Sequence, residues 1–179
     1  MGNQDLELVP GISRRKPACL PQPLLSALDA GKKNLVVDGE FNGVCEDRNW
    51  LPQEITADQC ERLKLKYIPE VEQELSSADE DWINGRVATL LVHYYVPNVP
   101  HELQVMALED WIRILSPFPQ WAIEAAVDEW LNRPGRQKPM PGDIAAGCRW
   151  RVAEPALNLK LLRKMVEHHE RRLPAGRRP

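Results

Sequence analysis

Apolar residues recur at helical spacing through the second half of the chain. From about residue 78 to residue 153 they return every three or four positions, which is the period of one face of an α-helix. The longest stripe consists of Trp82, Ile83, Val87, Leu90, Leu91, Tyr94 and Tyr95. Pro97 should end this helix, because the residue before a proline is pushed out of the helical region. The pattern predicts helices joined by short connections, which favours antiparallel neighbours.

Two further helices are predicted between Pro100 and Asn132. The first carries a stripe made of Leu108, Trp111, Ile112 and Leu115, to which Leu103, Val105 and Met106 add apolar area. The second, over about 120–132, turns Ile123, Ala126, Val127, Trp130 and Leu131 to one side. A last helical region should start near Asp143, with Ile144 and Cys148 facing inward. Pro155 is expected to interrupt or kink it.

The first part of the chain has weaker signals. Thr56 and Gln59 form a capping-box pattern, which predicts a helix that begins there and falters near Pro69. Residues 1–55 have no sustained period. A short helix after Pro21 and a strand before the turn residues Asp38-Gly39 are predicted within them.

These patterns predict a mainly α protein. It should be a compact antiparallel helical bundle with a C-terminal helix and an irregular N-terminal extension, in which a short β-hairpin is a candidate element. The predicted division is an extension over 1–55, a helical bundle over 56–153, and a basic C-terminal helix with a frayed tail over 154–179.

Composition agrees with a packed core, and the charges are sorted along the chain. The 179 residues are 43% hydrophobic and carry a net charge of −3. Residues 38–82 hold thirteen acidic and four basic side chains, whereas residues 149–179 hold three acidic and nine basic ones. Such asymmetry indicates electrostatic partners, although a basic run is also typical of a solvated helix end.

The sequence contains no pattern that indicates catalysis, a cofactor or a metal. It lacks a phosphate-cradling glycine loop and a dinucleotide fingerprint. His168 and His169 are adjacent, so on a helix they point in different directions. The four cysteines are far apart, and neither a signal peptide nor a membrane-spanning run is visible. We therefore expect a non-enzymatic cytoplasmic protein with reduced thiols, no cofactor, no metal and no membrane contact.

The basic C-terminal region is the candidate partner-binding site. Arg149-Trp150-Arg151 is suited to stacking on a nucleic-acid base or filling a pocket of a protein partner. The alternative is a half-buried Trp150 at the edge of the bundle. The candidate partner-binding residues are Arg149, Trp150, Arg151, Lys160, Arg163, Lys164, Arg171 and Arg172.

Residues 87–148 carry a further pattern. A helix with paired aromatic residues is followed by one that ends in Trp111-x-x-x-Leu115, then by an alanine-rich helix with Trp130 and by Lys138-Pro-Met-Pro141-Gly-Asp143-Ile144. This stretch resembles the small helical domain of phage replicative-helicase loader/inhibitor proteins. The resemblance implies a protein without ATPase activity that binds the hexameric replicative helicase. It also implies a mobile C-terminal contact, which by position would be 157–178.

The leading hypothesis is therefore an adaptor in phage-type DNA replication that binds the helicase to load or inhibit it. One alternative is a nucleic-acid-binding module that uses the basic residues from Arg149 to Arg178. Another is a small phage-type inhibitor of a host machine, in which the acidic segment 38–82 mimics nucleic acid. The acidic segment is also suited to clamping over the basic tail of the same molecule.

Overall fold

The computed structural model describes residues 15–37, 40–94, 100–135 and 137–172. Its elements, in chain order, are α1 (Gln22–Asp29), β1 (Lys32–Val37), β2 (Glu40–Glu46), α2 (Ala57–Arg62), a π-helical segment (Leu63–Tyr67), α3 (Ile68–Glu74), α4 (Glu80–Val92), α5 (His101–Leu115), α6 (Gln120–Asn132) and α7 (Pro141–Arg172). The prediction of a mainly α fold with a small antiparallel sheet near the N-terminus is confirmed.

The N-terminal extension contains the predicted short helix and hairpin. Helix α1 follows Pro21, whose fixed backbone angle suits the position before a first turn. Strands β1 and β2 pair antiparallel, and the register shifts between Leu35 and Val36. Opposite Leu35, Gly43 has a φ of +135°, a backbone conformation open mainly to glycine. The predicted turn residues Asp38-Gly39 lie outside the described residues.

The capping box at the start of α2 is confirmed. The Thr56 hydroxyl accepts from the Gln59 backbone N–H, and the Gln59 side chain accepts from the Thr56 N–H. The helical path does not end at Pro69. The π-helical segment lies just before it, and Pro69 is therefore in the first turn of α3. A proline, which has no backbone N–H, is well tolerated at that position of a helix.

The first core lies between α4, α5, α6 and the start of α7. Its buried residues are Ile83, Val87, Leu90, Trp111, Leu115, Ala122, Ile123, Ala126, Val127, Ile144, Ala145 and Cys148. Ile144 and Cys148 face inward, as their sequence positions predict. At the start of α4, the Asp79 carboxylate accepts from the Trp82 backbone N–H and caps the helix.

A second core packs the first part of the chain against the rest of α7. Its buried residues are Leu28, Trp50, Cys60, Leu63, Val71, Leu157, Leu161, Leu162, Met165 and Val166. They come from α1, from the segment after the hairpin, from α2–α3 and from the last five turns of α7. The residues upstream of position 75 therefore pack on the C-terminal part of the chain.

The separate C-terminal helix expected from residue 154 is not present, because α7 runs unbroken over 32 residues. Pro155 lies inside it and is buried, so the expected interruption is wrong. A proline removes one intrahelical hydrogen bond, but apolar residues on both sides hold the helix. Ile144 and Cys148 anchor it in the first core, and Leu161 anchors it in the second. The predicted frayed tail lies outside the described residues.

Candidate interaction surface of helix α7

All eight candidate partner-binding residues lie on α7. Arg149, Trp150 and Arg151 are in its third turn, and the other five follow over the last four turns. A single helix therefore carries the whole predicted set. Its packing then decides which side chains remain open to a partner, because the hairpin, α2–α3 and α6 all contact this helix.

Two of the lysines are held by one carboxylate of the hairpin. Lys160 Nζ lies 2.7 Å and Lys164 Nζ 2.8 Å from the Glu46 carboxylate oxygens. The hydrogen bonds from Lys160 and Lys164 hold the pKa of Glu46 below its ordinary value. Lys164 also lies over the Trp50 ring, 5.6 Å from its centroid, which is within cation–π range. Both ammonium groups are thus committed to the N-terminal part of the chain.

Further ion pairs close the same seam. Arg163 binds Glu72 of α3 at 2.7 Å, and Arg172 binds Glu54. One pair has its charges reversed, with the base on the first half of the chain and the acid on α7. Lys64 of the π-helical segment binds Glu170, and this hydrogen bond raises the pKa of Lys64. Three glutamates of the acidic segment, Glu46, Glu54 and Glu72, therefore pair with basic side chains of α7. These ion pairs favour the interpretation in which acidic residues of the first half of the chain clamp over the basic helix.

Two arginines are paired with glutamates of the helices. Arg151 donates to Glu129 of α6 at 2.6 Å and to the Gly147 carbonyl at 2.9 Å. Hydrogen bonds from Arg133 and Arg151 lower the pKa of Glu129. Arg171 pairs with Glu167 one turn away on its own helix, at 3.2 Å. Arg151 thus ties α7 to α6, whereas the Arg171 pair is a solvent-facing contact of small energetic weight.

Arg149 and Trp150 are adjacent and exposed members of the set. Trp150 is 46% exposed, and its ring lies against the hairpin at Gly43, where an added Cβ would approach Trp150 Cζ3 to 3.4 Å. Arg149 is exposed and forms no ion pair or hydrogen bond with any residue that the structure describes. Trp150 is therefore half-buried, as one interpretation of the sequence predicts, and lies next to the exposed Arg149.

The acidic segment is similarly occupied. Glu74 is buried, and its carboxylate accepts from Arg15 at 2.6 Å and from the Ala18 backbone N–H at 3.0 Å. Arg15 also lies over the Trp121 ring, and the Trp121 indole donates to the Glu74 carbonyl at 2.7 Å. Glu72 is engaged by Arg163. Glu72 and Glu74 are thus engaged within the fold and are not free to mimic the phosphates of a nucleic acid.

The two buried cysteines, Cys60 and Cys148, are poorly suited to nucleophilic chemistry. Burial raises the pKa of the Cys148 thiol to about 12 and also raises the pKa of Cys60. A thiol with a raised pKa stays protonated at neutral pH and reacts poorly. Within the described ranges, no group of His, Cys, Asp and Glu side chains is placed to hold a metal ion.

One exposed apolar surface was missed in the sequence. Leu103, Val105 and Met106, which the pattern treats as added apolar area of a packed helix, are exposed at the start of α5. The sequence could have indicated this exposure through the positions of these residues around the helix axis. Leu103 and Met106 do not continue the stripe of Leu108, Trp111 and Leu115, so they point elsewhere around the helix.

None of the helices in the described ranges has the length and apolarity needed to span a membrane. Comparisons of the chain with protein-family models, with curated proteins and with solved structures find no match.

Proposed function

We propose that the protein is a non-enzymatic adaptor of phage-type DNA replication that binds a protein partner. The partner implied by the resemblance of residues 87–148 is the hexameric replicative helicase, which the adaptor would load or inhibit. The observation that carries the protein-binding part is the exposure of Trp150 and Arg149 on a helix whose other candidate basic residues are paired with glutamates. Tryptophan and arginine are the side chains that most often dominate protein interfaces.

The first core supports the same proposal. The stretch that resembles the loader domain contributes the second half of α4, all of α5 and α6 and the start of α7, and all but one of the buried residues of the first core lie in it. Trp150 lies two residues after Cys148, the last buried residue of that cluster. A contact at Arg149–Trp150 would therefore lie at the edge of the unit that carries the resemblance.

The ion pairs favour a protein over a nucleic acid as partner. Phosphate binding needs several cations that can exchange counterions for phosphates. Six of the seven basic residues of the candidate set are paired with glutamates of the same chain. To use them, a nucleic acid would have to displace these carboxylates.

The test is binding to the purified replicative helicase encoded in the same genome, at low salt. We expect the wild-type chain to retain the helicase and Trp150→Ala to weaken binding roughly tenfold or more, the usual loss at an interface hot spot. Arg149→Ala should also weaken binding, whereas Arg113→Ala, which removes an exposed arginine of α5 that is paired with Asp110 and lies outside the candidate set, is the matched control.

Two results would contradict the proposal. Failure of the wild-type chain to retain the helicase at low salt removes that partner. Binding of a fluorescent single-stranded oligonucleotide that falls steeply with salt would instead support the nucleic-acid alternative, since such dependence reports phosphate contacts.

A further inference from the structure

The first two turns of α5 stand clear of the bundle. Every residue over 101–107 is exposed, and contact with the first core begins only at Leu108. Three large apolar side chains lie on these turns: Leu103 is 54%, Val105 40% and Met106 61% exposed. We call residues 101–107 the α5 tip. Apolar side chains grouped on a projecting element are unusual unless something covers them.

The period of the helix determines which side chains of the α5 tip lie near the acidic residues. Met106 follows Glu102 by four residues and precedes Glu109 by three, so these three side chains share one face. Leu103 and Val105 flank that face on its two sides. Both glutamates are exposed, and neither forms an ion pair within the described parts of the chain. The α5 tip is therefore an apolar projection with an acidic border.

We infer that the α5 tip is a docking element that inserts into an apolar groove of a protein partner, with lysine or arginine side chains along the groove's edge. A helix exposed on all sides can be wrapped by the walls of a groove, which is a common mode of helix recognition. The free carboxylates of Glu102 and Glu109 would meet basic groups at the rim, so charge complementarity selects the partner. This surface is separate from Arg149–Trp150 and does not depend on the helicase as partner.

A second copy of the chain fits the α5 tip less well. Two tips facing each other would bring Glu102 and Glu109 of both copies together. Like charges at close range disfavour that pairing.

The experiment is photo-crosslinking with the full-length chain expressed from its own genome. Met106→p-benzoylphenylalanine places the reactive group on the α5 tip, and Leu51→p-benzoylphenylalanine is the control, since Leu51 is 79% exposed and lies after the hairpin. We expect an adduct at position 106 and none at position 51. The crosslinked peptide should belong to one protein, in an apolar groove with lysine or arginine at its edge.

Binding of that protein is then compared in purified form. Met106→Asp should weaken it roughly tenfold or more, and Glu102→Lys with Glu109→Lys should slow association. Unchanged thermal stability of Met106→Asp shows that the loss does not come from unfolding.

The other outcomes overturn the inference. An adduct to the same chain would identify self-association, and an adduct to lipid alone would identify a membrane contact. Equal labelling at positions 106 and 51, or full binding by Met106→Asp, would show that the α5 tip is not a docking element. Helicase binding lost in Trp150→Ala but kept in Met106→Asp would leave the adaptor proposal standing and exclude the α5 tip from that contact.

Discussion

The two cores of this protein are assembled in different ways. The first core draws its buried residues from one continuous stretch, Ile83 to Cys148. The second core joins Leu28, Trp50 and the α2–α3 helix to α7 residues about a hundred positions later. It also carries ion pairs across its seam, from Glu46 and Glu72 to the basic side chains of α7.

The difference shows what kind of contact a sequence pattern reveals. In the first core each helix packs against a neighbour in the chain, so short connections and apolar stripes indicate the arrangement. In the second core the partners are distant in sequence, and α1, the hairpin and α2–α3 have no local reason to meet α7. Helix α7 links the two because it has apolar residues for both.

The largest expected effects come from opening one core at a time. Ile123→Ala in the first core and Leu161→Ala in the second each remove a fully buried side chain. Each should lower the free energy of unfolding by about 2–5 kcal/mol, since a cavity replaces apolar contacts. Because the clusters share only α7, amide hydrogen exchange should rise first in α6 for Ile123→Ala and first in α2–α3 for Leu161→Ala. An equal rise in both regions would mean that the cores unfold as one unit.

A smaller effect is expected from crowding the second core. A Cβ added at Gly31 would lie 2.8 Å from Trp50 Cδ2 and 3.1 Å from Leu161 Cδ1. Gly31→Ala should therefore lower the free energy of unfolding by about 1–3 kcal/mol, measured by chemical denaturation. Gly85→Ala is the matched control. Gly85 is exposed within α4 and has open space around it, so this change should stabilise the protein by about 0.5–1 kcal/mol. Equal stability of the two variants would contradict the close packing at Gly31.

The smallest effect is expected from the ion pairs of the seam. Lys160 and Lys164 hold the pKa of Glu46 below its ordinary 4.5. The contribution of these pairs is therefore present above that pH and is lost as the pH falls through the lowered pKa. Glu46→Gln should reduce the free energy of unfolding by less than about 1 kcal/mol at neutral pH.

The pH dependence of the Glu46→Gln effect is its check. The difference from wild type should disappear in acid, where Glu46 of the wild type is itself protonated. Glu167→Gln, which removes a partner of Arg171 on the same helix, is the control outside the seam. A Glu46→Gln effect that persists at low pH would show that the carboxylate charge is not its source.

The candidate site was only partly visible in the sequence. The run Arg149-Trp150-Arg151 can be recognised in the sequence. In the structure Arg151 forms an ion pair with Glu129, whereas Arg149 is exposed. No local pattern in the sequence predicts which of these two arginines is paired. The α5 tip was missed because apolar residues in a helix suggest burial, whereas Met106 is 61% exposed. Exposure depends on where the neighbouring helices end.

The sequence by itself determined the helices of the first core, the capping box at Thr56 and the presence of a short hairpin. These features depend on residues near one another in the chain, where period, caps and turns act directly. Only the tertiary structure decided that α7 continues through Pro155 and that Glu46, Glu54 and Glu72 pair with its basic side chains. Both outcomes depend on burial and charge pairing between distant segments, which stabilise a helix that its local sequence alone would have ended.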